Sequence, residues 1–297
     1  MTSPAIPISG RVEVRHSRGL WRDAGRRLLR HGPALVGLAL IAVFLLAALL
    51  ASVIAPYGPI EGRLVDRLQP PSGAHLFGTD LQGRDEFSRI LFGAQVSLQV
   101  GVVSVFMGLV MGGLIGATAG MFGGRVDSAL MRVVDVLLAI PGILLAIAIV
   151  AWLGRGLPQI MLAVAVTNVP LFARLLRGSL LALREADFVI AARSLGASRM
   201  RLLLRHMLPN ALTPVIVAAT LALATAIIDV AGLGFLGLGP PDPRTAEWGT
   251  MLTDSTRFLR AAPYLIFFPG LAIVITAVGF NLLGDGLRES LDPRLKR

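Results

Sequence analysis

Two short motifs have residue types and spacing that could bind a cofactor or an ion. The segment GLGFLG (232–237) has the glycine spacing of a dinucleotide-binding turn, and Asp254 follows at about the distance of a ribose-binding acid. This segment follows an apolar run and leads into Pro240 and Pro241 instead of a helix, which disfavours a dinucleotide site. The segment DLQGRD, from Asp80, lacks the closing glutamate of a calcium loop and indicates a turn that leads into a helix.

Histidine, cysteine and lysine are the other residue types that metal or phosphate chemistry would need. The four histidines lie far apart in the sequence and form no HExxH pair, and there is no cysteine, so neither a metal centre nor a thiol nucleophile is predicted. A phosphate-binding P-loop needs a lysine, and the only lysine is Lys296, next to the C-terminus. We therefore predict no catalytic residue, no bound metal or cofactor and no ATP hydrolysis by this chain.

Polar side chains near or within apolar segments are costly in a membrane and often functional. Asp135 lies near the start of the third apolar segment, and Asp229 lies near the end of the fifth. An ordinary interfacial carboxylate, or for Asp135 a carboxylate paired with Arg132, is favoured over a functional role. Asn281, in the last apolar segment, is polar but could simply hydrogen-bond to a neighbouring helix. None of these side chains is assigned to substrate binding.

The elements that carry these residues are strongly apolar. Of the 297 residues, 55% are hydrophobic and only 15% are charged, and the mean hydropathy is +0.73. This composition is typical of a polytopic membrane protein and not of a charge-rich soluble domain. The formal net charge of +10 comes from basic residues dispersed between apolar segments, which disfavours a nucleic-acid-binding domain.

Six uncharged segments are long enough, or nearly so, to cross a hydrocarbon core of roughly 30 Å as single helices. The first is too long and starts too late to be a cleaved secretory signal. The second is long for one helix, and we place its span at residues 96–120. The predicted fold is an all-α polytopic membrane protein with six transmembrane helices, in residues 34–55, 90–124, 136–154, 156–173, 206–228 and 261–284.

The distribution of basic residues predicts the orientation of these helices. With the N-terminus inside, the internal segments hold 20 basic residues and the external segments hold 8. Both termini are therefore predicted to be cytoplasmic. The predicted organisation is a basic cytoplasmic tail (1–33) dispensable for the core fold, the first transmembrane helix (34–55), a periplasmic segment (56–95) and a core with five further transmembrane helices (96–297).

Glycines recur at every fourth position of the second apolar segment. Four residues turn an ideal helix by about 400°, so these glycines form a slowly drifting groove along one face. Such a groove lets a neighbouring helix approach closely, and this packing role is favoured over a hinge or a wall of a translocation path. The glycines are Gly108, Gly112, Gly116, Gly120 and Gly124.

The only sizeable internal loop, residues 174–209, contains a predicted amphipathic helix within EADFVIAARSLGAS (185–198). Gly196 can adopt the left-handed conformation that ends a helix, and Ser198 can cap the next helix. The helix either lies on lipid headgroups or docks into a groove of another protein, and its small residues favour docking. Its apolar face contains Phe188, Ala191, Ala192 and Leu195, and its polar positions include Asp187 and Arg193.

This loop resembles the cytoplasmic EAA loop of ABC importer permeases. In that loop, Glu-Ala-Ala is followed by a glycine four residues after the second alanine and by a later Leu-Pro. The chain departs from the pattern in two places, with Ile190 where the pattern has glutamate and His206 where it has isoleucine. The matching positions are Ala191, Ala192, Gly196, Leu208 and Pro209.

Longer segments narrow the resemblance to the dipeptide, oligopeptide and nickel permease group. Residues 75–98, 120–150, 233–252 and 268–294 are similar to the characteristic blocks of that group. The resemblance implies a permease subunit in a bacterial inner membrane that forms the pathway for di- or oligopeptides, nickel or a related solute. It implies as partners a second, related permease chain, two cytoplasmic ATPase subunits that bind ATP, an extracytoplasmic solute-binding protein and membrane lipid. The helix at 187–196 would then be the ATPase-docking element.

A self-sufficient secondary transporter is the alternative function. Such a transporter would have buried ion sites and repeated halves with broken helices. The apolar segments hold few charges and show no clear duplication between the halves, which disfavours this alternative. A membrane-embedded enzyme would need a cluster of acids, bases or metal ligands and is disfavoured further. The sequence does not identify the cargo.

Overall fold

The fold is known from a computed structural model that describes residues 25–291. Within that range the chain is helical, and the only strand-like pairings are two isolated antiparallel bridges near the start of α2. The predicted all-α fold is confirmed. The helices are α1 (Gly32–Leu49), α2 (Glu86–Phe122), α3 (Gly124–Ala139), α4 (Gly142–Leu153), α5 (Leu157–Arg184), α6 (Asp187–Ser194), α7 (Leu208–Leu233), α8 (Trp248–Ser255) and α9 (Tyr264–Leu291).

Most of the predicted cytoplasmic tail, residues 1–24, lies outside the described residues, as do residues 292–297 with Lys296. Short helical turns supplement the main helices. A one-turn helix follows α1, turns lie before α2 and after α8, and a short helix and two π-helical segments flank α7. These segments are Ala51–Ile54, Leu64–Asp66, Thr256–Phe258, Arg199–Arg201, Leu202–Met207 and Gly234–Leu238.

Within residues 25–291, five helices are long and apolar enough to cross a membrane, and a sixth span exists if α3 and α4 count as one. These two helices differ from the single uninterrupted helix predicted for residues 136–154, because they meet at an angle of 93°. Pro141 explains the break. A proline ring disfavours the helical conformation of the preceding residue, and Ile140 has an extended backbone with φ −98 and ψ 129.

The helix α2 is longer than the predicted span. It has 37 residues, which correspond to about 55 Å, so it extends well beyond a roughly 30 Å hydrocarbon core. Its first turn is capped by Asp85, whose carboxylate accepts the Ser88 backbone N–H at 2.8 Å. It begins before Val96, where the predicted span starts, and ends at Gly123 with a positive φ of 67°.

The glycines of α2 contact α5 directly. A Cβ atom at Gly112 would lie 2.5 Å from the carbonyl oxygen of Val169, so no larger residue fits there without moving α5. Gly124 does not belong to this groove, because it lies beyond the end of α2 and nothing is within 4 Å of its Cβ position. The glycines that face α5 are Gly108, Gly112, Gly116 and Gly120.

The outer helices are attached by similar close contacts. A Cβ atom at Gly37 of α1 would lie 2.7 Å from the carbonyl oxygen of Gly279 on α9, so the two backbones touch there. The imidazole Nε2 of His31 lies 2.7 Å from the Glu289 carboxylate and links the start of α1 to the end of α9. Two buried apolar clusters result. One joins α2, α4, α5 and α7, and the other joins α1, α2, α7, α8 and α9 around Trp248.

Candidate functional site

The predicted docking helix is present as α6, between α5 and the short helix that precedes α7. Asp187 lies in its first turn and Arg193 in its last, so both charges oppose the helix dipole favourably. Gly196 has a φ of 83°, the left-handed conformation expected of a helix-ending glycine. The Ser198 hydroxyl accepts the Arg201 backbone N–H at 3.4 Å and caps the next helical turn.

The side chains of α6 divide into an anchored face and an exposed face. Val189 is 0% exposed and packs into the α2–α5–α7 core, and the half-buried Ala192 packs against the same core. Phe188 and Leu195 are exposed, at 45% and 89% of their surface. The predicted apolar face is therefore split, since Ala192 turns toward the chain itself while Phe188, Ala191 and Leu195 face outward.

Val189 and Ile190 were missed when the apolar face was predicted from the sequence. Val189 is the anchor of α6, and Ile190 adds a further exposed apolar side chain. The spacing of Val189 and Ala192 at i and i+3 would have indicated a second apolar face. An eight-residue helix that is apolar on two sides can be held by one side and present the other to a partner.

Ion pairs brace the helices that support α6. The Arg177 guanidinium donates from Nε and Nη2 to the two carboxylate oxygens of Asp127, at 2.5 and 2.7 Å, and so ties α5 to α3. Arg174 lies 2.6 Å from Asp135. The alternative that Asp135 pairs with Arg132 is therefore wrong, because the partner of Asp135 is an arginine of another helix, α5.

Three arginines line a cavity behind α6. This cavity has a volume of about 460 Å³ and separates α6 from the ends of α2 and α5. Arg184 donates from Nη2 to the carbonyl oxygen of Met121 at 2.8 Å, which joins the end of α5 to the end of α2. The helix α6 thus lies at the end of the bundle beside the ends of α2 and α5, which are joined to each other. The arginines of the cavity are Arg184, Arg193 and Arg199.

At the opposite end of the bundle, the segment before α2 folds around Asp80. One carboxylate oxygen of Asp80 accepts the backbone N–H groups of Gln82 and Arg84, both at 2.9 Å. The other accepts Nε of Arg84 at 2.6 Å. The prediction that DLQGRD is a turn leading into a helix is confirmed, and its positive-φ residue is Gly83.

A second set of contacts fixes the first turn of α2. The Nδ1 atom of the buried His75 lies 2.9 Å from Asp85, and the other oxygen of Asp85 accepts the backbone N–H and hydroxyl of Ser88. Across the chain, Arg84 donates from Nη1 to the carbonyl oxygen of Pro243 at 2.7 Å. These bonds join the segment before α2 to the segment between α7 and α8.

A buried carboxyl group starts α8. Glu247 accepts the backbone N–H groups of Gly249 and Thr250, each at 2.8 Å. Burial raises the pKa of Glu247 from 4.5 to about 7, and these hydrogen bonds only partly oppose the shift. The adjacent Trp248 is fully buried and donates from its indole Nε1 to the carbonyl oxygen of Ile90 at 3.2 Å.

A polar cavity of about 340 Å³ lies between these two segments. Glu86 and Arg89, on the first two turns of α2, form part of its wall, and each is 2% exposed. Asp254 and Arg257 line it from the side of α8. This cluster of charges was not predicted from the sequence, since its members come from segments more than 150 residues apart.

Other residues singled out in the sequence lie elsewhere. Asp229 is half-buried in α7. Asn281 is exposed on α9 and makes no side-chain hydrogen bond within residues 25–291, so its bond to a neighbouring helix stays a prediction. The GLGFLG segment continues the end of α7 as a π-helix and does not follow a strand. Among residues 25–291, no group of three or more histidine, aspartate or glutamate side chains has the arrangement of a metal site.

The sequence was compared with family models and with known proteins. A model described as "Binding-protein-dependent transport system inner membrane component" matches residues 112–297. A model of the N-terminal TM domain of oligopeptide transport permease C matches residues 19–71. Together the two matches cover most of the chain. Residues 72–111, which include Asp80 and Glu86, lie between the two matched ranges.

Similar full-length proteins support the same grouping. The chain is 46% identical over 276 residues to the dipeptide transport system permease protein DppC of Alkalihalophilus pseudofirmus, which covers 93% of this chain and 90% of that protein. It is 46% identical over 293 residues to the glutathione transport system permease protein GsiD of Escherichia coli O157:H7, covering 98% of this chain and 95% of that protein. The same values hold for GsiD of Shigella sonnei.

A solved structure shows the same fold. A chain of the MetNI methionine ABC transporter, in an inward-facing conformation, superposes with a TM-score of 0.56 at 22% sequence identity. The superposition covers 69% of this chain and 96% of that chain. A second crystal form of that transporter gives a TM-score of 0.55. At this identity the likeness concerns the fold alone.

Proposed function

The chain belongs to the family of binding-protein-dependent transport system inner membrane components, and we propose that it forms the translocation pathway of an importer for di- or oligopeptides or a related small solute. It is a multi-pass permease subunit of an ABC importer. The relatives named for dipeptide and glutathione transport support a peptide-like cargo over nickel. The observation that carries the mechanism is α6, which is held on one face and exposed on the other.

The energy for transport comes from separate ATPase subunits in this proposal. No cofactor is assigned to the chain itself, and ATP binds to the two partner ATPases. Each ATPase offers a groove to a short helix, and α6 inserts its exposed side chains Phe188, Ala191 and Leu195 there. Because Val189 anchors α6 in the core of the bundle, a displacement of α6 is passed to α5 and α7. A second permease chain completes the pathway.

The orientation follows from the arginines. The end of the bundle that carries α6 also carries Arg177, Arg184, Arg193 and Arg199, and basic residues favour the cytoplasmic side. The termini of the chain then face the cytoplasm. The segment around Asp80 and the helix α8 face the extracytoplasmic side, where a solute-binding protein delivers the cargo.

One observation bears on the alternative of a self-sufficient secondary transporter. The bent pair α3–α4 is a broken helix, which such transporters use to form ion sites. The carboxylate nearest the bend, Asp135, is exposed and paired with Arg174, so the bend holds no buried ion-binding group of this kind. The bend is therefore assigned to the shape of the pathway and not to ion coupling.

Reconstitution tests the proposed function. Proteoliposomes that contain this chain, the second permease chain and the two ATPases should take up a labelled dipeptide when the binding protein and ATP are both supplied. Omission of the ATPases, of ATP or of the binding protein should each abolish uptake. Uptake by the two permease chains alone, driven by an ion gradient, would contradict the proposal and favour the secondary transporter.

A further inference from the structure

The cavity of about 340 Å³ near the start of α2 has the dimensions of a small-molecule site. One wall is formed by the turn after Asp80 and the first two turns of α2. The other is formed by the C-terminal half of α8 and the 3₁₀ turn Thr256–Phe258. In the proposed orientation, the cavity lies on the side from which the cargo arrives.

The cavity contains charged side chains of both signs. Asp80 and Arg84 satisfy each other through a 2.6 Å hydrogen bond, and both make further bonds to backbone atoms. These two side chains therefore stabilise the wall of the cavity and have little capacity left to bind a ligand. The ionisable groups that remain are two carboxyl groups, Glu86 and Asp254, and two guanidinium groups, Arg89 and Arg257.

Glu86 has a buried oxygen without a hydrogen-bond partner. Its side chain is 2% exposed, and Oε1 accepts no hydrogen bond within the described residues. Buried polar atoms in native proteins are almost always paired, and an unpaired one lowers stability. The Glu86 side chain lines the cavity, so a donor that enters the cavity can approach its carboxyl group.

Arg89 lies three residues after Glu86, so the two side chains emerge from the same side of α2. Its Nη1 donates to the carbonyl oxygen of Pro59 at 3.1 Å, and its Nε is 3.7 Å from the Asp80 carboxylate. These contacts hold the guanidinium in place with donors to spare, since a guanidinium has five N–H groups. A fixed arginine of this kind suits a carboxylate ligand.

We propose that this cavity binds a zwitterionic solute, with its ammonium group beside Glu86 and its carboxylate beside Arg89. The chemical class is amino acids and short peptides with free termini. This inference rests on the proposed function, to which it adds a contact between the permease and the charged ends of the cargo. A metal cation would lie against the arginines, an inorganic anion would lie against the carboxylates, and a neutral sugar would leave both charges unpaired.

Direct binding without the binding protein tests the inference. The complex of both permease chains and the ATPases, in lipid nanodiscs, is titrated with radiolabelled glycylglycine, N-acetylglycylglycine and glycylglycinamide. The wild-type complex should bind glycylglycine at least about tenfold more tightly than either capped peptide, because each cap removes one charge-assisted contact. Equal affinities for the three peptides, or no saturable binding, would overturn the inference and leave the cavity filled by solvent.

Two variants assign the two contacts. Glu86→Gln should weaken glycylglycine binding about tenfold and leave N-acetylglycylglycine unchanged, since that peptide has no ammonium group. Arg89→Gln should weaken the binding of glycylglycine and leave the binding of glycylglycinamide unchanged, since that peptide has no carboxylate. Glu61→Gln is the matched control, because Glu61 is an exposed glutamate of the same segment that bonds only to Gly58.

Uptake separates the inference from the proposed function. ATP-driven uptake of a dipeptide by the wild-type complex, together with equal binding of all three probe peptides, would refute the inference alone. Absence of ATP-driven uptake of any peptide would refute the proposed function. A Glu86→Gln protein that no longer retains the ATPases would be misfolded. In that case, the binding of capped and free peptides to the wild-type complex decides whether the inference holds.

Discussion

The two ends of the helical bundle differ in how they arrange charge and apolar surface. At the α6 end, Phe188 and Leu195 are exposed, and the helix is anchored mainly by Val189. At the opposite end, Asp80, Arg84 and other charged side chains are buried in a shared hydrogen-bond network. Exposed apolar surface marks a site for a partner, whereas a satisfied buried network rigidifies a segment. In the proposed function, the exposed apolar end forms a contact with a partner that moves, and the end with the buried network holds a fixed polar site.

The helices α2 and α5 connect these two ends. The start of α2 forms the wall of the polar cavity, and its end is bonded through Met121 to Arg184, beside α6. The glycine groove keeps α2 and α5 in close contact over this distance. A disruption of the groove should therefore affect both ends at once, and changes confined to one end should leave the other intact.

Gly112→Leu should have the largest effect. A Cβ at this position would lie 2.5 Å from the Val169 carbonyl oxygen, which belongs to the α5 backbone and cannot move aside cheaply. We expect a loss of about 3 kcal/mol or more, and little assembled protein in the membrane. Gly113→Leu is the control, because the nearest atom to its Cβ position is the end of Leu176, at 3.8 Å. Membrane levels and thermal stability of the two variants measure the difference, and equal losses would show that the groove is not a packing surface.

The glycine groove and α6 could be predicted because their signals are local. A four-residue glycine repeat and a short amphipathic segment that ends in Gly196 are visible in any one stretch of sequence. The polar end could not be predicted, since Arg84 bonds to Pro243 across 159 residues and Trp248 bonds to Ile90 across 158. Contacts between segments so far apart in sequence leave no periodic pattern within either segment, so they cannot be predicted from it.

The break between α3 and α4 shows a different limit. Pro141 was visible in the third apolar segment, but a proline in a membrane helix can be accommodated as a mild kink. Only packing decides between a kink and the 93° bend that is observed. The partner of Asp135 was missed because Arg174 lies on another helix, 39 residues later in the sequence.

A change of pH should alter the stability of the protein through Glu247, at the start of α8. The pKa of Glu247 is raised to about 7, so the native protein keeps a proton that the unfolded chain loses above its ordinary pKa of 4.5. The contribution of Glu247 to the free energy of unfolding should fall by up to about 3 kcal/mol as the pH rises from about 4.5 to about 7, and level off above that range. Thermal unfolding in detergent over this pH range measures the change.

Glu247→Gln should remove this part of the pH dependence, since the amide does not ionise. Glu61→Gln changes an exposed glutamate, so its free energy of unfolding should depend on pH as it does in the wild-type protein. Association of the ATPases should not follow the same pH profile, because α6 lies at the other end of the bundle. An unchanged slope in Glu247→Gln would assign the pH dependence to other groups.

Gly196→Ala should have the smallest effect and should act on the α6 end. The left-handed φ of 83° disfavours a side chain, although nothing lies within 4 Å of the Cβ position. We expect a loss of about 1 kcal/mol in stability, from backbone conformation and not from a clash. Gly178→Ala, at a helical glycine with equally open space, is the control and should be neutral or slightly stabilising.

Gly196→Ala should also affect function, because Gly196 sets the turn that follows α6. A shifted turn would re-aim α6 and weaken its contact with the ATPases, while glycylglycine binding in the polar cavity should stay at the wild-type level. Loss of peptide binding in this variant would mean that the two ends are not separable in the way described.

Attachment of the ATPases to α6 is the central claim, and Leu195→Glu tests it most directly. Leu195 is 89% exposed, so the charge should not disturb the chain itself, but it would be buried without a partner in an ATPase groove. Leu64→Glu makes the same change at a 73% exposed leucine on the opposite end. Pull-down of the affinity-tagged chain from solubilised membranes measures how much ATPase is retained. We predict normal membrane levels for both variants, with the ATPase lost only from Leu195→Glu. Full retention of the ATPase by Leu195→Glu would contradict the assignment of α6 as the docking element.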